Sequence, residues 1–356
     1  MSSDIAQIRC RHQRLTGALP ASAAQVVEWF GAVQAQDFGA ALWAVGQRSP
    51  GLTAEDVTRA IADKEIVRTW PMRGTIHFVP AADVRWMLAL TGARENDRVL
   101  SLLRALGHGQ TTLDHARKAL EAVLRDGPLT RPEIYAKLDQ DGIATANGVG
   151  IQILNFWAQS GLICFATHRG KQPTFALLDD WLAPAKANTP DRDTALKTLA
   201  VRYFRSHGPA TEADFAWWSG LTLTVARQAI RLAGDVLCER MFNGVPFLLH
   251  AESQPVADPD GNLLRLLSPF DEILVGYKDR SAYDLRPGAP DPALNLFGPT
   301  ILLNGRLIGA WKKTLGAKSG RVTLEASSKA DPPATTLLDA EIARLAHFWG
   351  MPMVAA

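Results

Sequence analysis

The chain has 356 residues, 47% of them hydrophobic and 21% charged, with a formal net charge of +2. That balance excludes a disordered chain and allows two to four globular domains. No apolar run approaches the ~18 residues of a membrane-spanning helix, and the net charge alone does not demand a polyanionic partner. Met1-Ser2-Ser3-Asp4 lacks the basic-then-apolar pattern of a signal peptide. The scattered Cys10, Cys164 and Cys238 read as reduced, buried thiols, so a cytoplasmic protein is expected.

Taken in order, Arg9-Cys10-Arg11-His12-Gln13-Arg14 is a basic cluster that by itself reads as a solvated face. Ser22 with Gln25 three residues later forms a capping box, and Val26, Phe30 and Val33 recur at helical spacing. Gln34 and Gln36 follow in Val33-Gln34-Ala35-Gln36-Asp37-Phe38-Gly39. In a continuing helix residues two apart point about 200° away from each other, whereas on an extended backbone they share a side. Asp37 and Gly39 are turn formers, so the helix is expected to end here. The two amides then either tie down a helix end or converge on one spot. Thr53 caps a helix carrying Val57 and Ile61, and strands over 66–70 and 75–79 flank Pro71-Met72-Arg73-Gly74.

The chain repeats itself. Gly127-Pro128-Leu129-Thr130-Arg131-Pro132-Glu133-Ile134 is matched by Gly208-Pro209-Ala210-Thr211-Glu212-Ala213-Asp214-Phe215, each a Thr N-cap with an acid three residues on. A fainter copy runs from Gly17 to Val26. After the second copy come a helix over 148–160, with Ile151, Leu154 and Trp157 on one face, and strands over 162–167 and 174–178. After the third come a helix over 224–233 and strands over 236–242 and 245–250 around Asn243-Gly244, a strong hairpin signal. Helix, helix, helix and hairpin is the winged-helix plan, a helix-turn-helix with a β wing.

From about residue 255 the character changes. Strands are expected over 263–267, 272–275, 300–303, 307–311 and 321–325, with a hairpin at Asn304-Gly305 and frequent Pro and Gly over 285–299, a small barrel or strongly bent sheet. A last helix over 334–349 carries Leu338, Ile342, Leu345 and Trp349 on one face. Residues 305–324 hold Arg306, Lys312, Lys313, Lys318 and Arg321 and no acid, most of them on or beside a hairpin loop over 314–320. No phosphate loop, dinucleotide fingerprint, HExxH helix, nucleophile elbow or His/Cys metal spacing occurs, so neither cofactor nor metal is expected. Trp217, Trp218 and Trp311 suit base stacking, but Trp217 and Trp218 read as core.

Several stretches together resemble the winged-helix DNA glycosylases of the AlkZ/YcaQ family. They are the Gln34-Ala35-Gln36 stretch, Arg68-Thr69-Trp70-Pro71-Met72-Arg73-Gly74-Thr75-Ile76-His77, and Gly208-Pro209-Ala210-Thr211 with Trp218-Ser219-Gly220-Leu221. Ser268-Pro269-Phe270-Asp271-Glu272-Ile273-Leu274-Val275-Gly276-Tyr277-Lys278-Asp279-Arg280 and Asn304-Gly305-Arg306-Leu307-Ile308-Gly309-Ala310-Trp311 complete the set in the family's order. The resemblance implies an α+β protein of three tandem winged-helix units in a C-shaped arrangement plus a C-terminal β-barrel-like domain. The units are placed at 1–111, carrying the Gln-Ala-Gln motif, 112–190 and 191–254, and the last domain with its C-terminal helix at 255–356.

The family's signature is Gln-x-Gln in one branch and Gln-x-Asp in the other, and Gln34-Ala35-Gln36 fits the first, which includes antibiotic self-resistance enzymes. The expected activity is monofunctional: hydrolysis of the N-glycosidic bond of cationic N7- or N3-alkylated purines in double-stranded DNA, extending to bulky adducts and interstrand crosslinks. Gln34 and Gln36 are the expected catalytic residues. Arg73, His77, Lys312, Lys313, Lys318 and Arg321 are the expected DNA contacts, with Arg73 and His77 alternatively a hairpin brace and a satisfied interior histidine. A monomer is expected. The rival is a winged-helix regulator that binds DNA without chemistry.

An N7-alkylated guanine already carries positive charge, so its leaving base needs no proton. Two amide oxygens can then hold a water and face the developing oxocarbenium charge. Because an amide is no general base near neutral pH, such a site acts weakly on neutral nucleotides.

Overall fold

The computed structural model describes residues 2–182, 190–253, 263–283, 297–316, 318–326 and 333–355. Most of the Pro- and Gly-rich stretch 285–299 lies outside them. The chain forms two compact units, one of Met1–Val57 with Leu196–Ala356 and one of Thr58–Ala195.

In the first unit the helix Ser2–His12 precedes the helix Ala23–Phe30. Ser22 caps the latter by accepting from the Gln25 N–H at 3.2 Å, but the Gln25 carboxamide reaches one residue further back, to the Ala21 N–H at 2.9 Å. Gly31, at φ 80°, ends this helix before Val33. Val33 is therefore not on the helical face; it lies on the short strand Val33–Gln34 and is buried there. Asp37 opens the next helix, Phe38–Gly46, its Oδ1 accepting from the Ala40 N–H at 2.8 Å.

Further on come the helices Arg192–His207, Glu212–Ser219 and Leu223–Ala233 and the hairpin Leu237–Phe242 with Val245–His250. Thr211 and Asp214 form the capping box, and Asn243 and Gly244 take the positive φ angles of a tight hairpin turn.

A five-stranded sheet closes this unit, in the order Met353–Ala355, Gly320–Ala326, Arg306–Leu315, Thr300–Leu303, Leu264–Leu266. The strand expected over 272–275 is instead the helix Glu272–Val275, capped by Asp271, whose Oδ1 accepts from the Ile273 N–H at 3.0 Å. All four of its residues are buried, and a short run buried on every side carries no periodicity to separate strand from helix. The helix Thr335–Trp349 buries Phe348 rather than Trp349, seating it against Trp43 with ring centroids 5.2 Å apart.

In the second unit the strands hydrogen-bond in the order Thr75–Pro80, Ile66–Met72, Ile163–Phe165, Thr174–Leu177, Leu129–Thr130. Arg73 and Gly74 turn the first hairpin with φ of 57° and 64°. Trp70, Phe165 and Phe175 stack against one another. The long helix Val84–Ala105 and the helix Val149–Gln159 pack against Ile66–Met72. Thr130 and Glu133 form the second capping box, at the start of the helix Arg131–Gln140.

Candidate active site

Gln34 and Gln36 occupy the extended connection between two helices. Gly31 stops the first, Asp37 starts the second, and between them the chain runs as strand and bend. Asp37 is thus a helix cap. Gln34 is 8% exposed and Gln36 is exposed. One amide is therefore largely withdrawn from solvent while the other remains in it, only two positions along the chain.

The segment is anchored from far away in sequence. The Gln34 backbone N–H donates to Glu272 Oε1 at 2.8 Å, and the Trp218 indole N–H donates to Glu272 Oε2 at 3.1 Å. His207 Nε2 stands 3.4 Å from that same oxygen. Burial lowers the His207 pKa against the opposing pull of Glu272, which favours the neutral ring. His207 Nδ1 lies 2.8 Å from the Ser206 hydroxyl oxygen.

Asp271, next to Glu272, takes a bidentate clamp from Arg48, at 2.7 Å on Oδ1 and 3.0 Å on Oδ2. Arg48 also donates to the Gln13 and Ala44 carbonyls, and the Gln47 carboxamide donates to Asp271. Arg48 and Asp271 are both buried, so each charge depends on the other. Glu272 and its donors escaped the sequence reading because 272–275 read as a strand. The residue pair Asp271-Glu272 inside an otherwise apolar run was the one available signal.

The basic cluster at the N-terminus is solvated only in part: Arg11 is exposed and Arg14 half-buried. Arg9 is buried, donating to the Pro209 carbonyl at 2.9 Å, lying 3.7 Å over the Tyr277 ring and 3.9 Å from Asp214. Trp218 is core as expected, but Trp217 is 44% exposed; adjacent residues on a helix point ~100° apart and cannot share one face. Trp311 is buried, donating to the Leu267 carbonyl at 2.8 Å.

Lys312, Lys313, Lys318 and Arg321 lie on one hairpin. The strand Arg306–Leu315 extends beyond the expected loop start, leaving a turn closed by the Gly316 N–H donating to Ser319 O at 2.9 Å. Lys318 and Arg321 are exposed. Lys312 pairs with Glu325, a carboxylate just past the acid-free run. Lys313 sits 3.9 Å from the Trp349 ring centre, and burial pulls its pKa down to about 8 against the attraction of Asp37. Lys312 and Lys313 also line a cleft of about 220 Å³ with Ala40, Trp43, Pro269, Pro299 and Trp311. The helix that Asp37 caps and the basic hairpin therefore border the same space.

Arg73 and His77 belong to the second unit. Arg73 Nη2 lies 3.5 Å from His77 Nε2, and His77 Nδ1 lies 3.0 Å from the Thr75 carbonyl. His77 is buried, a histidine with partners on both ring nitrogens. Among the described residues no group of three or more His, Cys, Asp or Glu could hold a metal ion.

A mixed α+β chain with a glutamine pair between two capped helices and a basic hairpin beside them suits an enzyme acting on nucleic acid. The model of the DNA glycosylase AlkZ-like family matches residues 27–348, and the chain belongs to that family. The resemblance read from the sequence is thereby borne out, and an enzyme, a DNA glycosylase, replaces the rival of a regulator without chemistry. The chain is 28% identical over 319 residues to an interstrand DNA cross-link repair glycosylase of Streptomyces sahachiroi, covering 85% of each chain. The solved structure of the Streptomyces sahachiroi DNA glycosylase AlkZ superposes with a TM-score of 0.81 at 26% identity, over 99% of both chains.

Proposed function

We propose that this glycosylase hydrolyses the N-glycosidic bond of cationic N7- and N3-alkylated purines in duplex DNA, and that bulky adducts and interstrand crosslinks are among its substrates. The observation that carries this reading is the placement of Gln34 and Gln36 two positions apart on a short strand-and-bend segment held between two capped helices. Two amide oxygens in that arrangement can fix a water on the open face of the sugar. Their dipoles face the positive charge that develops as the base departs. Because the lesion is already cationic, the site needs no acid to protonate the leaving base. The S. sahachiroi relative, named for interstrand cross-link repair, supports the crosslink part of this reading.

In this reading the three capped helix-and-hairpin repeats are winged-helix units, with the C-terminal sheet as the barrel-like part. Lys312, Lys313, Lys318, Arg321 and Arg73 contact phosphates, and His77 supports Arg73. The product is an abasic site in an uncut strand. The test is single-turnover release of free base from a duplex carrying one N7-methylguanine. Gln34→Ala and Gln36→Ala should each slow release by ~10²-fold or more, with duplex affinity little changed. Near-parental release by the double alanine variant would sink the assignment.

A further inference from the structure

We propose that Glu272 is a positioning residue for the glutamine pair, holding the Gln34 backbone so that both amides keep the geometry that grips water. This inference rests on the reading that Gln34 and Gln36 act on the substrate, and it adds the group that aligns them.

The case begins with a buried carboxylate whose two oxygens each receive an N–H group, with a histidine ring nitrogen beside one of them. Oε1 takes the Gln34 main chain at 2.8 Å, and Oε2 takes the Trp218 indole at 3.1 Å with the His207 ring at 3.4 Å. Glu272, Trp218 and His207 are almost wholly withdrawn from solvent, and Gln34 nearly so. A carboxylate is expensive to bury and remains there only when its lone pairs are engaged. A bond between a charged acceptor and a main-chain donor is shorter and stronger than a neutral one.

Its backbone is held as well. Glu272 O accepts from the Gln13 carboxamide at 3.1 Å, and Asp271, clamped by Arg48, caps the short helix that Glu272 begins. His207 is fixed in turn by rings on several sides: Tyr203 stacks on it at 4.6 Å, Trp218 lies at 5.3 Å and Phe30 meets it edge-on at 5.5 Å. The anchor is therefore rigid, and a strand of two residues receives from it a fixed point.

Positioning matters here because a water-binding site built from two amides has no strong charge of its own. Its advantage comes from dipoles aligned before the reaction, and misplacement by about 1 Å can cost ~10²-fold in rate.

The test is Glu272→Gln, which keeps the shape of the side chain. A carboxamide offers one oxygen and one NH₂, so at least one of the Gln34 and Trp218 N–H donors must face another donor. We expect a loss of ten-fold or more in single-turnover release of N7-methylguanine, with affinity for undamaged duplex within two-fold of the parent. Amide exchange of the segment 32–36 should quicken by ten-fold or more, with the helix Leu223–Ala233 unchanged. In a Gln34→Ala/Gln36→Ala background the same substitution should cost no further rate, because Glu272 acts through the two amides. Trp218→Phe, which removes one partner and leaves the carboxylate, should give a smaller loss in the same direction.

Equal losses in the parental and Gln34→Ala/Gln36→Ala backgrounds would reduce Glu272 to a general structural group and overturn the proposal. A parental rate for Glu272→Gln beside a crippled Gln34→Ala would overturn the positioning role alone. A parental rate for Gln34→Ala would overturn the glutamine reading itself, and this role with it.

Discussion

Lys313 is a cation at neutral pH that the fold holds close to losing its proton. Burial brings its pKa to about 8, with Asp37 opposing the drop. On the proposed reading, the contribution of Lys313 to phosphate binding would be present at pH 7 and lost as pH rises through about 8. Duplex affinity should weaken between about pH 7 and 9, and Lys313→Arg, whose guanidinium stays charged, should flatten the change. Fluorescence anisotropy at fixed ionic strength checks this; an unchanged profile in the arginine variant removes Lys313 from the DNA interface. The sign for stability is the opposite. A lysine pKa below its ordinary value means the folded state binds fewer protons, so its stabilising share is present above the unfolded value and lost as pH falls through about 8. The glutamines behave differently, since an amide has no proton to lose in this range. Single-turnover excision at saturating enzyme should be nearly flat between about pH 6 and 8.5. A bell with limbs near neutrality would point to a titrating base and leave Gln34 and Gln36 as binding residues.

At the scale of elements, the four-residue helix Glu272–Val275 carries more than its length suggests. Asp271 caps it, and Arg48 on the Phe38–Gly46 side neutralises that cap with a guanidinium whose donors reach Gln13, Ala44 and Asp271. Removing one partner strands a buried charge. Arg48→Met should therefore cost about 3–5 kcal/mol in urea unfolding, whereas an exposed pair such as Arg117–Glu121 should cost little when broken. Gly276 follows this helix, and a Cβ there would lie 2.6 Å from the Glu272 carbonyl and 2.6 Å from His207 Cδ2. Gly276→Ala must displace backbone or the imidazole that faces Glu272. It should lower both the melting temperature and the excision rate, and a variant matching the parent in both would show that the pocket has room to relax.

For the molecule as a whole, the charge of +2 conceals an uneven distribution. The basic hairpin gathers Lys312, Lys313, Lys318 and Arg321, while Arg9 and Arg48, equally cationic in sequence, are consumed by buried acids. Replacing Lys312, Lys313 and Lys318 by alanine should weaken binding of damaged and undamaged duplex alike. The salt dependence should become shallower by roughly one unit per lost phosphate contact. Lys312, already paired with Glu325, should account for the smallest part. A triple variant with the parental salt slope would show that these lysines only solvate the hairpin.

What the sequence determined alone is what depends on near neighbours. Thr130 with Glu133 and Thr211 with Asp214 close their capping boxes within four residues, and Asn243-Gly244 turns its hairpin without help from elsewhere. The helix end beside the two amides was legible for the same reason, whereas the reading of Gln34 and Gln36 as a catalytic pair came with the family resemblance. The anchor of the pair was not legible, because Glu272 lies 238 positions away in a segment whose apolar run suits strand and helix alike. Nor could the sequence tell that Arg9 would be buried and Trp217 exposed, or that Glu325 would take up Lys312. A hydrogen bond between neighbours is set by backbone geometry that the residues themselves prefer. A buried charge is tolerable only once a distant partner has been brought beside it, and only the packed tertiary structure decides which partner that is.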